Sequence, residues 1–76
     1  MEVLIGRVYK HFKGDYYIVE NIALHTETSE KMVIYRALYG NGELYARPYS
    51  MFTEETNKCG QKYRFELQDI NSVVKK

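Results

Sequence analysis

Apolar and polar residues alternate along several short stretches of the chain, which is the pattern of half-buried β-strands. The clearest stretch covers residues 32–39, where apolar side chains occupy both alternating sets. Arg36 falls in the set that contains Ile34 and Leu38. A charge at such a position requires solvent or an acidic partner. We therefore predict a strand here in which Arg36 has contact with solvent or with a partner.

We predict further strands over residues 5–12, 16–25, 44–49 and 63–67, which makes about five in all. Neither face of the stretch 16–25 is cleanly polar, so we expect that strand to be curved or to contain a bulge. In the last strand we expect Tyr63, Phe65 and Leu67 to point inward. Residues 56–61 are predicted to form a loop, and residues 71–76 a frayed tail or a short terminal element.

The connections are marked by residues with special backbone requirements. The Asn41-Gly42 dipeptide predicts a tight two-residue hairpin, because both residues tolerate positive φ angles. Pro48 has no N–H to donate to a neighbouring strand, so it marks an edge or a strand end. After it, Ser50 can cap one helical turn that places Met51 or Phe52 in the core.

Short strands joined by tight turns are typical of a small antiparallel barrel or roll. The chain has 76 residues, of which 45% are hydrophobic. That length allows one domain with one core, and the composition argues against disorder. We predict a single all-β domain with its core in residues 5–68.

Charge and cysteine content narrow the possible functions. The net charge is +1, whereas a nucleic-acid binder that relies on charge usually has a clear basic excess. Cys59 is the single cysteine and cannot form an internal disulfide, which favours a reducing, cytoplasmic compartment. The sequence shows neither a signal-peptide pattern nor an apolar run long enough to cross a membrane.

Candidate catalytic or metal-binding residues are few. His25, Glu27 and Glu30 lie close together in sequence, and His11 is the only other histidine. A zinc site needs three or four ligands held by further hydrogen bonds, so these residues are one hypothesis for a small enzyme or metal protein. The alternative is that His25 and Thr26 cap the backbone of their own loop. No nucleophile or phosphate-loop motif is present, and we expect no cofactor.

The arginines and tyrosines suggest a binding face. Arg36 and Arg47 lie on strands that we expect to pair through the hairpin, with tyrosines near both. An aromatic face with embedded guanidinium groups can stack bases, hold phosphates or bind acidic peptides. Alternatively, the arginine stems pack over tyrosine rings and pair with Glu20, Glu43 or Glu66 as ordinary structure.

Five segments taken together resemble a known family. They are residues 9–14 (Tyr-Lys-His-Phe-Lys-Gly), 23–30 (beginning Ala-Leu-His-Thr-Glu-Thr), 33–40 (Val-Ile-Tyr-Arg-Ala-Leu-Tyr-Gly), 47–54 (beginning Arg-Pro) and 64–65 (Arg-Phe). This set resembles the bacterial family catalogued as Domain of Unknown Function 1653, over about residues 6–67. The resemblance implies a small SH3-like β-roll and no known activity. The family often has Trp-Val-Arg-Pro where this chain has Tyr45-Ala46-Arg47-Pro48.

Our leading hypothesis is a non-catalytic binding module for a peptide partner or a small anionic ligand, with no membrane association and a monomer or weak dimer. Single-stranded nucleic-acid binding is the alternative, followed by the enzyme or metal site. The candidate binding residues come from the family motifs and the tyrosine-rich strands: His11, Lys13, His25, Glu27, Thr28, Arg36, Tyr45 and Arg47.

Overall fold

The computed structural model describes residues 1–69 of the chain. Within that part, seven strands and one short helix follow one another: β1 (Val8–His11), β2 (Tyr16–Leu24), β3 (Lys31–Ala37), β4 (Leu44–Pro48), α1 (Tyr49–Phe52), β5 (Glu55–Lys58), β6 (Gln61–Tyr63) and β7 (Phe65–Leu67). Five strands form one antiparallel sheet in the order β4-β3-β2-β1-β7, while β5 and β6 form a separate hairpin. The fold is therefore mainly β, which confirms the predicted fold class.

The five-stranded sheet curls strongly. Phe65 on β7 and Tyr35 on β3 have ring centroids 5.4 Å apart, although β1 and β2 lie between their strands. In a flat sheet these two strands would be about 14 Å apart, because neighbouring strands are spaced by about 4.8 Å. The curl brings side chains from both ends of the sheet onto one concave face, as in a roll.

A bulge in β2 supplies part of this curvature. The register against β3 shifts between Val19, which pairs with Tyr35, and Asn21, which pairs with Ile34. The extra residue bends the strand and changes which residues face inward. Val19 is buried, and Ile22 packs against the core. The predicted bulge is thus confirmed, and it explains why this stretch of sequence does not alternate cleanly.

The core consists largely of aromatic rings on the concave face. Phe52 from α1 lies flat against Phe65, with centroids 4.0 Å apart and planes 3° apart. Tyr9 meets the edge of Phe52 at 5.4 Å. Phe52 is fully buried, whereas the neighbouring Met51 is 43% exposed. Of the two residues expected to fill the core from the helical turn, Phe52 does so.

Two local predictions are wrong, one for the start of α1 and one for the hairpin between β3 and β4. Ser50 does not cap α1, because the cap position is Pro48 and no side chain bonds there; Ser50 already lies within the helix. The hairpin between β3 and β4 is also not a two-residue Asn41-Gly42 turn. The ladder ends where Ala37 N donates to Glu43 O. The positive φ angles of the longer loop belong to Gly40 and Gly42.

The region after the helix is more ordered than its composition predicts. Residues 56–61, predicted as a loop, belong mostly to the β5–β6 hairpin. Its two-residue turn has positive φ angles at Cys59 and Gly60, and Asn57, also at positive φ, lies within β5 where the register shifts. The predicted strand 63–67 is divided at Arg64, since Arg64 N donates to Glu54 O while its carbonyl accepts from Phe12 N. Residues 71–76 lie outside the described residues.

The inward set that we expected in this last strand is only partly confirmed. Phe65 is buried and Tyr63 is half-buried, but Leu67, on the edge strand β7, is 41% exposed. In residues 1–69 no helix has the length and apolar character needed to cross a membrane.

Replacing Phe52 by alanine is predicted to lower the free energy of unfolding by about 3–5 kcal/mol, since it removes a buried ring from the centre of the core. Met51→Ala, a neighbouring change at an exposed position, is expected to cost less than about 1 kcal/mol. Urea denaturation followed by circular dichroism measures both. Equal effects of the two substitutions would contradict this description of the core.

Candidate functional site

The candidate residues occupy three different places. His25, Glu27 and Thr28 lie in the loop between β2 and β3, and His11 and Lys13 lie at the turn between β1 and β2. These two turns flank opposite ends of the nine-residue strand β2. The remaining candidates are on β3 and β4: Arg36, Tyr45 and Arg47. The structure therefore does not bring all eight residues to one site.

The His25 loop is held by its own hydrogen bonds. Nδ1 of His25 accepts from the backbone N–H of Glu27 at 3.1 Å and of Thr28 at 3.4 Å. The hydroxyl of Thr28 accepts from Glu30 N at 3.2 Å. These bonds stabilise a turn in which Ser29 has a φ of 61°. His25 therefore caps its loop, and Thr28 supplies the hydroxyl that we had expected from Thr26.

The histidines and glutamates of the metal hypothesis are not assembled. His11 and His25 flank opposite ends of β2, and one ring nitrogen of His25 is already bonded to backbone. In the part of the chain that the structure describes, no group of three or more His, Cys, Asp or Glu side chains could hold a metal ion.

Arg36 lies on the outer face of the sheet, which corrects our placement of it in the aromatic binding face. It alternates with the buried residues Tyr35 and Ala37, so its side chain points away from the core. Its Nε donates to Glu20 Oε2 at 3.0 Å, and its Nη1 donates to the carbonyl of Gly42 at 3.0 Å. Arg36 therefore links β2, β3 and the following loop as ordinary structure.

Arg47 lies on the concave face, where aromatic groups hold its guanidinium. Nε donates to the hydroxyl of Tyr35 at 3.1 Å, and Cζ lies 5.7 Å from the centre of the Phe65 ring. This distance suits a cation–π contact. None of the ion pairs within residues 1–69 includes Arg47, and its two Nη nitrogens have no hydrogen-bond partner there.

Tyrosines extend this surface toward solvent. The ring centroid of Tyr45 lies 5.7 Å from that of Tyr35 and 6.3 Å from that of Tyr17. The hydroxyl oxygens of Tyr17 and Tyr39 are 2.9 Å apart. Burial raises the pKa of Tyr17, and the bond to Tyr39 raises it further, so this phenol stays neutral. We call the following set the aromatic site: Tyr17, Tyr35, Tyr39, Tyr45, Arg47 and Phe65.

His11 joins the aromatic site at its β1 side. Its ring meets the Phe65 ring edge-on at 5.0 Å, and its Nδ1 accepts from Lys13 N at 3.1 Å. Burial lowers the pKa of His11, and the positive charges of Arg47, Arg64 and Lys13 lower it further. The charge of Asp15 acts in the opposite direction but more weakly, and the ring is therefore neutral at neutral pH.

Sequence reasoning therefore found Tyr45, Arg47 and His11, which lie at one surface, but it did not select four other members of the aromatic site. Those members are Tyr17, Tyr35, Tyr39 and Phe65. The alternation in β3 places Tyr35 on the buried face. No pattern in the sequence shows that β7 curls back toward β3 and β4.

Comparison with known proteins identifies the family. The sequence model of the family described as "Protein of unknown function (DUF1653)" matches residues 7–67, so the chain belongs to this family. The fold is similar to the crystal structure of a DUF1653 protein from Bordetella bronchiseptica, with a TM-score of 0.74 and 26% identity. The match covers 96% of this chain and 95% of that one. The curated proteins contain no match.

The pKa of His11 predicts how stability depends on pH. Because its pKa in the folded state lies below the ordinary value of 6.5, the unfolded chain takes up a proton first as the pH falls. Stability contributed by the neutral ring is present above about pH 6.5 and is lost as the pH falls toward the folded-state pKa.

Thermal melts of the wild type and of His11→Asn between about pH 7.5 and about pH 5 test this. Asparagine can still accept from Lys13 N but does not titrate. The wild type is expected to lose more stability than the variant over this range. Parallel stability curves for the two proteins would refute this role of His11.

Proposed function

We propose that the protein is a small non-catalytic binding module that takes a negatively charged group at Arg47. The observation that carries this proposal is that Arg47 has one nitrogen fixed by Tyr35 while its Nη nitrogens have no partner in residues 1–69. A planar guanidinium held in this way is prepared to bind a carboxylate through two hydrogen bonds.

Comparison with Arg36 and Arg64 supports this. Arg36 pairs with Glu20 at 3.0 Å, and Arg64 pairs with Glu54 at 2.6 Å, so acids neutralise both of these cations. Arg7 also has no ion pair within residues 1–69, but it donates to the carbonyl of Gln68 at 3.2 Å, whereas the guanidinium of Arg47 is held by Tyr35 and Phe65. Arg47 is only half exposed and lies among aromatic rings, where an anion is attracted more strongly than in bulk water. An incoming acid would meet a guanidinium whose orientation is already fixed.

The surroundings favour an acidic peptide segment or a small carboxylate as the ligand. Tyr39 and Tyr45 are 44% and 41% exposed, so they offer apolar ring surface and hydroxyl groups beside the cation. Tyrosine combines both contributions with little loss of side-chain entropy. We further propose a cytoplasmic location, since the single cysteine, Cys59, is exposed and unpaired and such a thiol suits a reducing compartment.

Single-stranded nucleic acid is a second candidate. Exposed rings next to an arginine are the elements that stack bases and contact phosphates, and Tyr39 and Tyr45 supply such rings. The net charge of +1 weighs against it, because phosphate binding usually requires several cations. A mixed-sequence single-stranded oligonucleotide titrated at two salt concentrations tests this candidate, which requires an affinity that falls steeply with salt.

Amide NMR titration with a short peptide of alternating glutamate and valine tests the main proposal. We expect shifts at Tyr45, Arg47 and their neighbours in the wild type, and at least about tenfold weaker binding in Arg47→Ala. Arg36→Ala is the matched control, since it removes the same charge from the same pair of strands but on the outer face. It is expected to bind as the wild type does.

Two results would count against the proposal. One is a peptide of alternating lysine and valine that binds as well as the acidic one. The other is equal weakening by the two arginine substitutions, which would show that only net charge matters.

A further inference from the structure

Strand β4 is an edge of the sheet, and the direction of its free backbone groups can be deduced. Ala37 N donates to Glu43 O, so these two residues form a hydrogen-bonded pair. Such pairs alternate with non-bonded pairs along an antiparallel ladder. The register Arg36–Leu44 and Ile34–Ala46 therefore makes the N–H and C=O groups of Leu44 and Ala46 point away from β3.

The side chains along this edge are complementary to themselves. Tyr45 and Arg47 share the concave face, since they pair with the buried residues Tyr35 and Val33. Glu43, which is bonded to the buried Ala37, continues the same alternation, with Tyr45 at the centre. Neither Glu43 nor Arg47 belongs to an ion pair within residues 1–69. If the same segment runs in the opposite direction alongside, Glu43 lies opposite Arg47 and Leu44 lies opposite Ala46.

We propose that the partner of this edge is a second copy of the chain, joined through antiparallel pairing of β4 with β4 about a two-fold axis at Tyr45. This inference rests on the proposed function, because it makes Arg47 the binding group and names Glu43 of the other copy as its acid. Leu44 of one copy and Ala46 of the other form a hydrogen-bonded pair, in which each residue donates its N–H to the carbonyl of the other. The two-fold axis generates a second such pair, which gives four backbone hydrogen bonds in all.

The ends of β4 limit this interface to a short segment. Pro48 occupies the next position whose backbone faces outward, and it has no N–H to donate. At the other end, Gly42 N is already bonded to Tyr39 O. Only residues 43–47 can pair fully, so the buried surface is small. A weak dimer that forms with increasing concentration is therefore expected.

A second copy fits this edge better than an arbitrary acidic peptide. The peptide must place an acid opposite Arg47 and an acceptable residue opposite Glu43, whereas β4 itself meets both requirements at once. Opposite charges directly across two strands stabilise their pairing, and like charges destabilise it.

Charge reversal tests the dimer. Sedimentation equilibrium from low micromolar to millimolar protein should show dimerisation of the wild type. Glu43→Arg and Arg47→Glu should each weaken it by about tenfold or more, because each places like charges opposite one another at two symmetric positions. The double variant Glu43→Arg/Arg47→Glu restores the complementary pairs and should recover the dimer. Glu27→Arg, at an exposed loop position with the same charge change, should have no effect.

Hydrogen exchange provides a second measurement that does not depend on folding of the Arg47 variant. In the wild type, the amides of Leu44 and Ala46 should exchange more slowly at high protein concentration than at low concentration. A monomer at all concentrations, or a double variant that recovers no association, would overturn the dimer.

The acidic peptide titration separates the two proposals. If the peptide binds at Arg47 of a strictly monomeric protein, the proposed function holds and the dimer is wrong. If the protein dimerises but Glu43→Arg leaves association unchanged, the copies meet elsewhere and the β4 interface is wrong.

Discussion

The stack of Phe52 on Phe65 is the contact on which the rest of the structure depends. It joins α1 to β7 at the edge of the sheet, with ring centroids 4.0 Å apart. Tyr9 and Tyr35 meet the edge of Phe52 from β1 and β3, so rings from four elements share one centre. A domain of this size buries a limited area, and large rings provide most of the buried surface available to it.

The aromatic site follows from this core. Because the core holds Phe65 against the concave face of the sheet, its ring centroid lies 5.7 Å from Cζ of Arg47. Tyr35, which is fixed between Phe52 and Phe65, presents its hydroxyl to the same guanidinium. The groups that fix the fold therefore also fix the orientation of the cation, and no separate scaffold is needed to prepare it for a ligand.

Local signals in the sequence predicted the features that depend on one or two residues. Pro48 ends β4, Phe52 fills the core, and β2 contains a bulge, each for the reason that residue type or pattern gives. The β5–β6 hairpin was missed because its residues are polar and because two residues other than glycine, Asn57 in β5 and Cys59 in the turn, adopt positive φ angles. In contrast, the connection after β3 was expected as a two-residue Asn41-Gly42 turn, whereas it is a longer loop that has positive φ angles at Gly40 and Gly42.

The site was predictable only in part. Arg47 and Tyr45 could be found because they alternate on one predicted strand, and His25 could be assigned to its own loop. The contact between Arg47 and Phe65 joins positions far apart in sequence, and it exists only because the sheet curls. No spacing along the chain encodes that curl, so Phe65 and Tyr17 could not be selected in advance.

The most direct test of the account is the ¹H–¹⁵N signal of the Arg47 Nε–H group, measured for the wild type and for Tyr35→Phe. The account predicts a wild-type signal that is protected from exchange with water and is as rigid as the backbone. In the variant, which keeps the ring but loses the acceptor hydroxyl, the signal should exchange much faster. A wild-type signal that exchanges as rapidly as that of a free surface arginine would contradict the claim that the aromatic core fixes this cation.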